Sequence, residues 1–222
     1  MDFLVHQIVK LGIQEGTVAL ILMLPLVATF IAFARQIIGI RGFGIYITLI
    51  VAYGLVAAGL KYGILIFLVV VLSGTLIRFL IRKVRIMYLP RMAIIFTGVS
   101  FAILVLFLLG GFLGFEGLSS VSIFPILIMT LIVERFVAAQ IERGPKTAIF
   151  MTGETLLLAI ISYFVLSFHY LQQIVLNYSL LSMAILVLIN YFLGRWTGLR
   201  VSEYFRFREL IEYLELSSKK KK

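Results

Sequence analysis

Stretches of about 20 mostly apolar residues recur along the whole chain, and each is long enough to form a helix that spans a membrane. The seven predicted spans cover residues 16–38, 43–60, 63–81, 92–113, 119–139, 147–168 and 172–194. The composition agrees, because 62% of the residues are hydrophobic and 14% are charged. A soluble fold of this composition would expose far more apolar surface than monomers tolerate. The sequence therefore predicts an all-α integral membrane protein and excludes a soluble enzyme.

The basic residues fall on alternate connections between the predicted spans. Eighteen of the 20 Lys and Arg residues lie on one set of connections and in the tail, and the other set holds Lys10 and Lys61. Because segments rich in Lys and Arg stay in the cytoplasm, this pattern predicts an external N-terminus and a cytoplasmic C-terminus. The net charge of +10 then reflects membrane topology, and no nucleic-acid partner is expected.

The C-terminal segment 199–222 differs from the polytopic membrane domain predicted for residues 1–198. Its apolar residues, among them Tyr204 and Phe207, recur at helical spacing and predict an amphipathic helix in the lipid headgroup region. Anionic lipid should attract each closing lysine by about 1 kcal/mol. These lysines are Lys219, Lys220, Lys221 and Lys222. The alternative is a helix that docks a cytoplasmic partner.

Short segments repeat in the same order at offsets of about 80 residues. TLIV occurs at 48–51 and at 130–133, LVAAGLKYG at 55–63 aligns with FVAAQIERG at 136–144, and SGTL at 73–76 aligns with TGETL at 152–156. This offset spans three predicted helices, an odd number. Predicted helices 2–4 and 5–7 should therefore cross the membrane in opposite directions, as an inverted repeat.

Glycine and hydroxyl residues interrupt the third and sixth predicted helices at corresponding positions. They are Ser73, Gly74 and Thr75 in one half, and Thr152, Gly153, Glu154 and Thr155 in the other. In inverted-repeat folds such positions point to a binding or conduction site near the midplane. The alternative is that small residues allow close helix packing, while the hydroxyls bond back to their own helix.

Several charges fall inside the predicted spans. An unpaired carboxylate at Glu154 would cost roughly 2.5–3.5 kcal/mol within the membrane, so we expect Glu154 to have a partner or to be protonated. Arg78 and the Glu134–Arg135 pair are predicted at similar depth. Either an ion pair of Glu154 with Arg78 or Arg135 holds the bundle together, or Glu154 relays protons or substrate. Pro125 predicts a kink in the fifth span.

Catalytic and metal-binding patterns are missing from the sequence. The chain has no Cys and two His, which excludes disulfides and thiolate sites and argues against a metal centre. Neither an H-E-x-x-H motif nor a Walker A motif occurs. We therefore expect a protein without enzymatic activity, cofactor or metal.

A homodimer is a further expectation. Gly110, Gly111 and Gly114 place small residues near one end of the fourth predicted span. Such residues let the backbones of two membrane helices approach closely.

Three segments resemble a bacterial family, the seven-helix membrane domain usually fused to an inactive transglutaminase-like domain. They are IIGIRGFGIYITLIVAYGL at 37–55, ERFVAAQIERGPKTAIFMTGETLLLA at 134–159 and SEYFRFREL at 202–210. Two further segments are more distantly similar to the membrane protein C family of poly-γ-glutamate capsule synthesis. These are KYGILIFLVVVLSGTLIRFLI at 61–81 and RMAIIFTGVSF at 91–101.

The resemblance implies partners more than chemistry. It implies a multi-pass protein of the bacterial inner membrane, encoded beside a predicted protease and an ATP-grasp ligase that adds glutamate-like residues. The membrane subunit would hold this ligase and export or display its peptide product. A proton-coupled secondary transporter that uses Glu154 is the alternative function. The resemblance carries over no catalytic residues, and the transglutaminase-like domain does not occur in this sequence.

Overall fold

The computed structural model describes residues 2–84, 86–119 and 121–196, and these residues form helices and short connections without strands. The all-α prediction is therefore confirmed. The helices are α1 (Phe3–Lys10), α2 (Glu15–Phe33, continued as a π-helix over Ala34–Ile38), α3 (Ile45–Ala58), α4 (Leu60–Ile81), α5 (Tyr88–Phe112), α6 (Glu116–Ser119), α7 (Ile123–Glu142), α8 (Pro145–Ser167), α9 (His169–Asn177) and α10 (Ser179–Gly194).

Five helices of the described chain are long and apolar enough to cross a membrane: α2 with its π-helical end, α4, α5, α7 and α8. They correspond to five of the seven predicted spans. Each has at least 20 residues and therefore reaches about the 30 Å of a hydrocarbon core. The chain is a multi-pass membrane protein.

The other two predicted spans differ from the prediction. The span predicted over 43–60 is α3, whose 14 residues extend about 21 Å. Glycines in backbone conformations with positive φ bound it at both ends, Gly44 and Gly59. The prediction of one helix over 172–194 is wrong, because α9 and α10 meet at an angle of 103°. Together these two helices make at most one bent sixth span.

Helix α7 begins later and ends later than predicted. It continues past Glu134 and Arg135 to Glu142, so both charges lie within the helix. Pro125 falls in its first turn, where backbone N–H groups have no intrahelical acceptor. Proline therefore costs α7 no hydrogen bond, and the physical reason for the predicted kink disappears.

The chain divides into two compact units, of which Gly42–His169 is one. Within this unit α3 packs against α8, α7 and α4, while α4 also packs against α5 and α7. Glycines allow two of these contacts: a Cβ atom at Gly74 would lie 2.8 Å from Val133 Cγ1, and one at Gly54 would lie 2.9 Å from Met129 Cε. Close packing of α7 against α3 and α4 thus depends on positions without side chains.

The packing of this unit bears on the inverted repeat. In the predicted repeat α3 corresponds to α7, and α4 corresponds to α8. A contact between α3 and α8 should therefore have a counterpart between α7 and α4, and both contacts exist. The third helix of each predicted repeat breaks this correspondence. Helix α5 packs against α4, whereas α10 packs against α2 in the other unit. The inverted repeat and its opposite helix directions stay predictions.

The other unit contains the described residues before Gly42 and after His169. Polar side chains connect its helices. Asn190 donates a hydrogen bond to Thr29 Oγ1 (2.6 Å), and Gln36 donates to the Leu193 carbonyl (2.7 Å). The Asp2 carboxylate accepts from Ser179 Oγ (2.5 Å) and so caps the N-terminus of α10.

Candidate functional site: a basic pocket at the end of α4

Two connections of the Gly42–His169 unit, α4–α5 and α7–α8, lie at one end of it. The segment before α3 lies farther along α8, because the backbone N–H of Phe43 donates to Thr155 Oγ1 in the middle of that helix (3.0 Å). The last turn of α4, the last turn of α7 and the first residue of α8 line a common pocket. We call this the basic end, because the sequence concentrates cations there. Its basic residues include Arg82, Lys83, Arg91, Arg143 and Lys146.

The opposite end of the unit carries a different charge pattern. There the Lys61 ammonium lies 5.7 Å from the ring centroids of Tyr62 and Phe115, a distance suited to cation–π attraction. The Tyr62 ring packs against Gly117, where a Cβ atom would collide with it. The structure thus places the α4–α5 and α7–α8 connections at one end of the unit and Lys61 at the other. Which end faces the cytoplasm stays a prediction.

A buried amide holds an arginine at the basic end. Gln140 of α7 is 2% exposed, and its Oε1 accepts a short hydrogen bond from Arg78 Nη1. Its Nε2 donates to Thr75 Oγ1 (3.2 Å), and that hydroxyl donates to the Val71 carbonyl (2.8 Å). These hydrogen bonds hold the Arg78 guanidinium in place and use both the oxygen and the nitrogen of the Gln140 amide.

The pocket beside this amide has a volume of about 260 Å³. Its lining residues are Thr75, Arg78, Phe79, Arg82, Gln140 and Pro145. The Arg82 guanidinium carbon lies 5.3 Å from the ring centroid of Phe79, so the ring attracts this second cation as well. Arg78 is partly removed from solvent, and the like charges of Arg82 and Arg91 repel it. The pocket is therefore electropositive and suited to an anion.

The predicted hydroxyl residues bond back to their own helices. Ser73 donates to the Val69 carbonyl (2.7 Å), Thr152 to Ala148 (2.8 Å) and Thr155 to Met151 (2.7 Å). This is the bonding pattern of the packing alternative. Thr75 and Thr155 differ from the others because each also accepts a bond from another segment, from Gln140 and Phe43 respectively.

The two predicted glycines occupy unlike environments. Gly74 lies against Val133 at the contact of α4 with α7, whereas a Cβ atom at Gly153 would have no other atom within 4 Å. The corresponding positions of the two halves therefore do not form one site. Helix packing explains Gly74.

The ion pair of Glu154 with Arg78 or Arg135 stays a prediction. Glu154 is half-buried on α8, directly before Thr155. Glu134 of α7 accepts a long hydrogen bond from the Tyr88 hydroxyl of α5 (3.4 Å), and Arg135 is exposed. Arg78 belongs to the pocket with Gln140. Of the predicted residues, the structure brings together Thr75 and Arg78.

Gln140 and Arg82 were missed by the sequence reading. The fifth span was predicted to end at 139, which left Gln140 outside the membrane. A usable signal existed, because Gln140 is an isolated amide within the otherwise apolar run FVAAQI, and such residues bond to neighbouring helices in membrane proteins. Arg82 was counted for topology alone.

Further predictions concern the C-terminal segment, a metal site and a homodimer. Tyr204, Phe207, Lys219, Lys220, Lys221 and Lys222 lie outside the described residues. Among residues 2–84, 86–119 and 121–196, no three His, Asp or Glu side chains are grouped to hold a metal ion. Gly110 contacts Leu118 of its own chain, whereas Gly111 and Gly114 have open space around them. The homodimer stays a prediction.

Residues 1–211 match a family described as 7 transmembrane helices usually fused to an inactive transglutaminase. The chain belongs to this family. The match confirms the resemblance inferred from the three segments and agrees with the helical membrane domain described above. No curated protein and no solved structure matches the chain. The similarity to the poly-γ-glutamate family stays a prediction.

Membership in the family bears on activity. The usual fusion partner of the domain is itself an inactive transglutaminase, which is consistent with a membrane domain that performs no catalysis.

For Glu154 we expect a structural role. Replacing Glu154 with Gln tests the ion pair predicted with Arg78 or Arg135. Loss of that pair should lower the melting temperature in detergent, because the arginine would then face a neutral partner. Loss of a fully buried pair costs about 3–5 kcal/mol, and the half-buried position of Glu154 should reduce this. With the predicted pair, replacing its arginine with Met in the Glu154→Gln protein should restore part of the stability. An unchanged melting temperature would favour the proton relay.

Proposed function

We propose that the chain is a non-enzymatic membrane subunit that holds a cytoplasmic ATP-grasp ligase. In the bacterial inner membrane it would help to export or display the glutamate-like peptide that this ligase makes. The observation that carries the proposal is the basic end of the Gly42–His169 unit, where the ends of α4 and α7 line one pocket and the α4–α5 and α7–α8 connections are rich in Lys and Arg. A ligase that adds glutamate-like residues makes an acidic product, and acidic chains are attracted to such a surface.

The exposed lysines of the basic end are suited to contact a partner protein. Lys83 and Lys146 are exposed, and neither has a place in the Arg78–Gln140–Thr75 network. Charges at the rim of an interface act mainly on the association rate and on its salt dependence. The partner should therefore bind more weakly as ionic strength rises.

Affinity purification of the tagged full-length chain in mild detergent tests the proposal, after co-expression with the ATP-grasp ligase that we expect to be encoded beside it. The ligase should co-purify, together with the predicted protease. The Lys83→Glu/Lys146→Glu protein should retain roughly tenfold less ligase, since opposed charges become like charges. Lys61→Glu is the matched control, because Lys61 is exposed at the opposite end. It should retain the ligase fully.

Two results would contradict the proposal. One is a failure to recover the ligase even after crosslinking. The other is uptake by the purified chain in proteoliposomes, driven by a pH gradient and abolished by Glu154→Gln. That second result would establish the secondary transporter instead.

A further inference from the structure

We propose that the basic pocket at the end of α4 binds the phosphate group of an anionic phospholipid. The inference is independent of the proposed ligase partner, because it rests on the pocket and on the surface of α4 beside it. It assigns to Arg78 and Arg82 a ligand that neither the topology nor the helix packing requires.

One of the two arginines is held in place before any ligand arrives. Gln140 accepts a hydrogen bond from Arg78, while the exposed Arg82 guanidinium lies 5.3 Å from the centroid of the Phe79 ring. Two guanidinium groups that border one cavity suit phosphate oxygens, to which arginine binds through paired N–H donors. Fixing Arg78 in advance lowers the entropy cost of binding.

Like charges make the pocket unfavourable without an anion. Arg82 and Arg91 both repel Arg78, and the buried Nε of Arg91 has no hydrogen-bond partner among the described residues. At the edge of the membrane, where water is scarcer, such repulsion is larger than in bulk solvent. A phosphate between the guanidinium groups would replace this repulsion with attraction.

The start of α8 adds to the attraction. Pro145, its first residue, lines the pocket, and although proline itself has no N–H, its position places the N-terminal end of the α8 dipole beside the pocket. A helix N-terminus carries partial positive charge and favours an anion such as phosphate. The pocket thus combines two arginines with a helix terminus.

The surface next to the pocket indicates a lipid rather than free phosphate. Leu72, Leu76 and Leu80 recur along α4 and are 66%, 61% and 67% exposed. Phe79, which is 65% exposed, joins this apolar face to the pocket that it also lines. A phospholipid would place its phosphate between the arginines and its acyl chains along the leucines. Free phosphate would leave that face unused.

Native mass spectrometry and thermal melts of the detergent-purified full-length chain test the proposal. Phosphatidylglycerol should bind and raise the melting temperature, whereas phosphatidylcholine should do so much less. Arg82→Gln should weaken phosphatidylglycerol binding by about tenfold relative to Lys83→Gln, because a hydrogen bond to a charged group is lost. Lys83 is the matched control: it is the next residue, is exposed, and does not line the pocket.

Each comparison excludes one other explanation. Arg78→Lys keeps the charge but loses the paired donors, so it should also bind the lipid more weakly than the Lys83→Gln control. Equal losses for Arg82→Gln and Lys83→Gln would overturn the site, since general surface charge would then explain binding. The choice of a lipid would be overturned if inorganic phosphate or glycerol phosphate raised the melting temperature as much as the lipid does at equal phosphate concentration. Stronger protection by poly-glutamate than by phosphatidylglycerol would overturn it too.

Discussion

Replacing Gly74 with Leu should strongly destabilise the protein, whereas the same change at Gly153 should not. A Cβ atom at Gly74 would lie 2.8 Å from Val133 Cγ1, and the stiff, β-branched valine cannot rotate away cheaply. Larger side chains in a well-packed contact typically cost about 1–3 kcal/mol, and more where two backbones must separate. Gly153 has open space and should gain the roughly 1 kcal/mol by which Leu is the better helix former.

Thermal melts in one detergent compare the two variants directly. A second pair isolates the contact: Gly74→Ala should lower the melting temperature, and adding Val133→Ala should return part of the loss by removing both Cγ atoms. Equal melting temperatures for Gly74→Leu and Gly153→Leu would contradict the packing of α4 against α7. Strictly additive effects of the alanine pair would contradict it as well.

Replacing Gln140 with Leu should produce the second large loss of stability. The two side chains have similar size, so the change removes the acceptor of Arg78 and the donor to Thr75 and leaves the packing nearly intact. A hydrogen bond to a charged group contributes about 1.5–3 kcal/mol, and the guanidinium left behind carries a further desolvation cost.

A double-mutant cycle checks this explanation. Arg78→Met should rescue much of the Gln140→Leu defect, since an apolar pair leaves no unsatisfied cation. Gln7→Leu is the control, because Gln7 is exposed on α1 and should tolerate the change within about 0.5 kcal/mol. If Arg78→Met fails to relieve Gln140→Leu, the bond between Arg78 and Gln140 is not what stabilises the contact.

Membrane class and most spans could be predicted from the sequence, because hydropathy over about 20 residues reports the solvent that a helix faces. The break at Tyr178 could not. The segment 172–194 is mostly apolar and lacks proline and charged residues, so hydropathy predicts one helix where the structure has two. Tertiary contacts favour the bend: the Asp2 carboxylate, far away in sequence, caps the new N-terminus at Ser179.

The candidate site was predictable in part. Arg78 and Thr75 can be identified from the sequence, because they are polar residues within an apolar helix. Their connection through Gln140 could not be read from the sequence, because it depends on which faces of α4 and α7 meet. The aligned glycines misled for the same reason: Gly74 meets a neighbouring helix and Gly153 does not. A repeat in sequence identifies corresponding positions, but it does not determine which residues surround each of them.

Single-cysteine labelling in intact cells tests most directly the claim that the basic end faces the cytoplasm, where a ligase could bind. The chain has no native Cys, so each introduced thiol is the sole target. With an impermeant maleimide, Glu116→Cys and His169→Cys should react from outside. Lys83→Cys and Lys146→Cys should react after the cells are opened, and a reporter fused after Lys222 should indicate the cytoplasm. External labelling at Lys83→Cys and Lys146→Cys, with protection at Glu116→Cys and His169→Cys, would contradict the account.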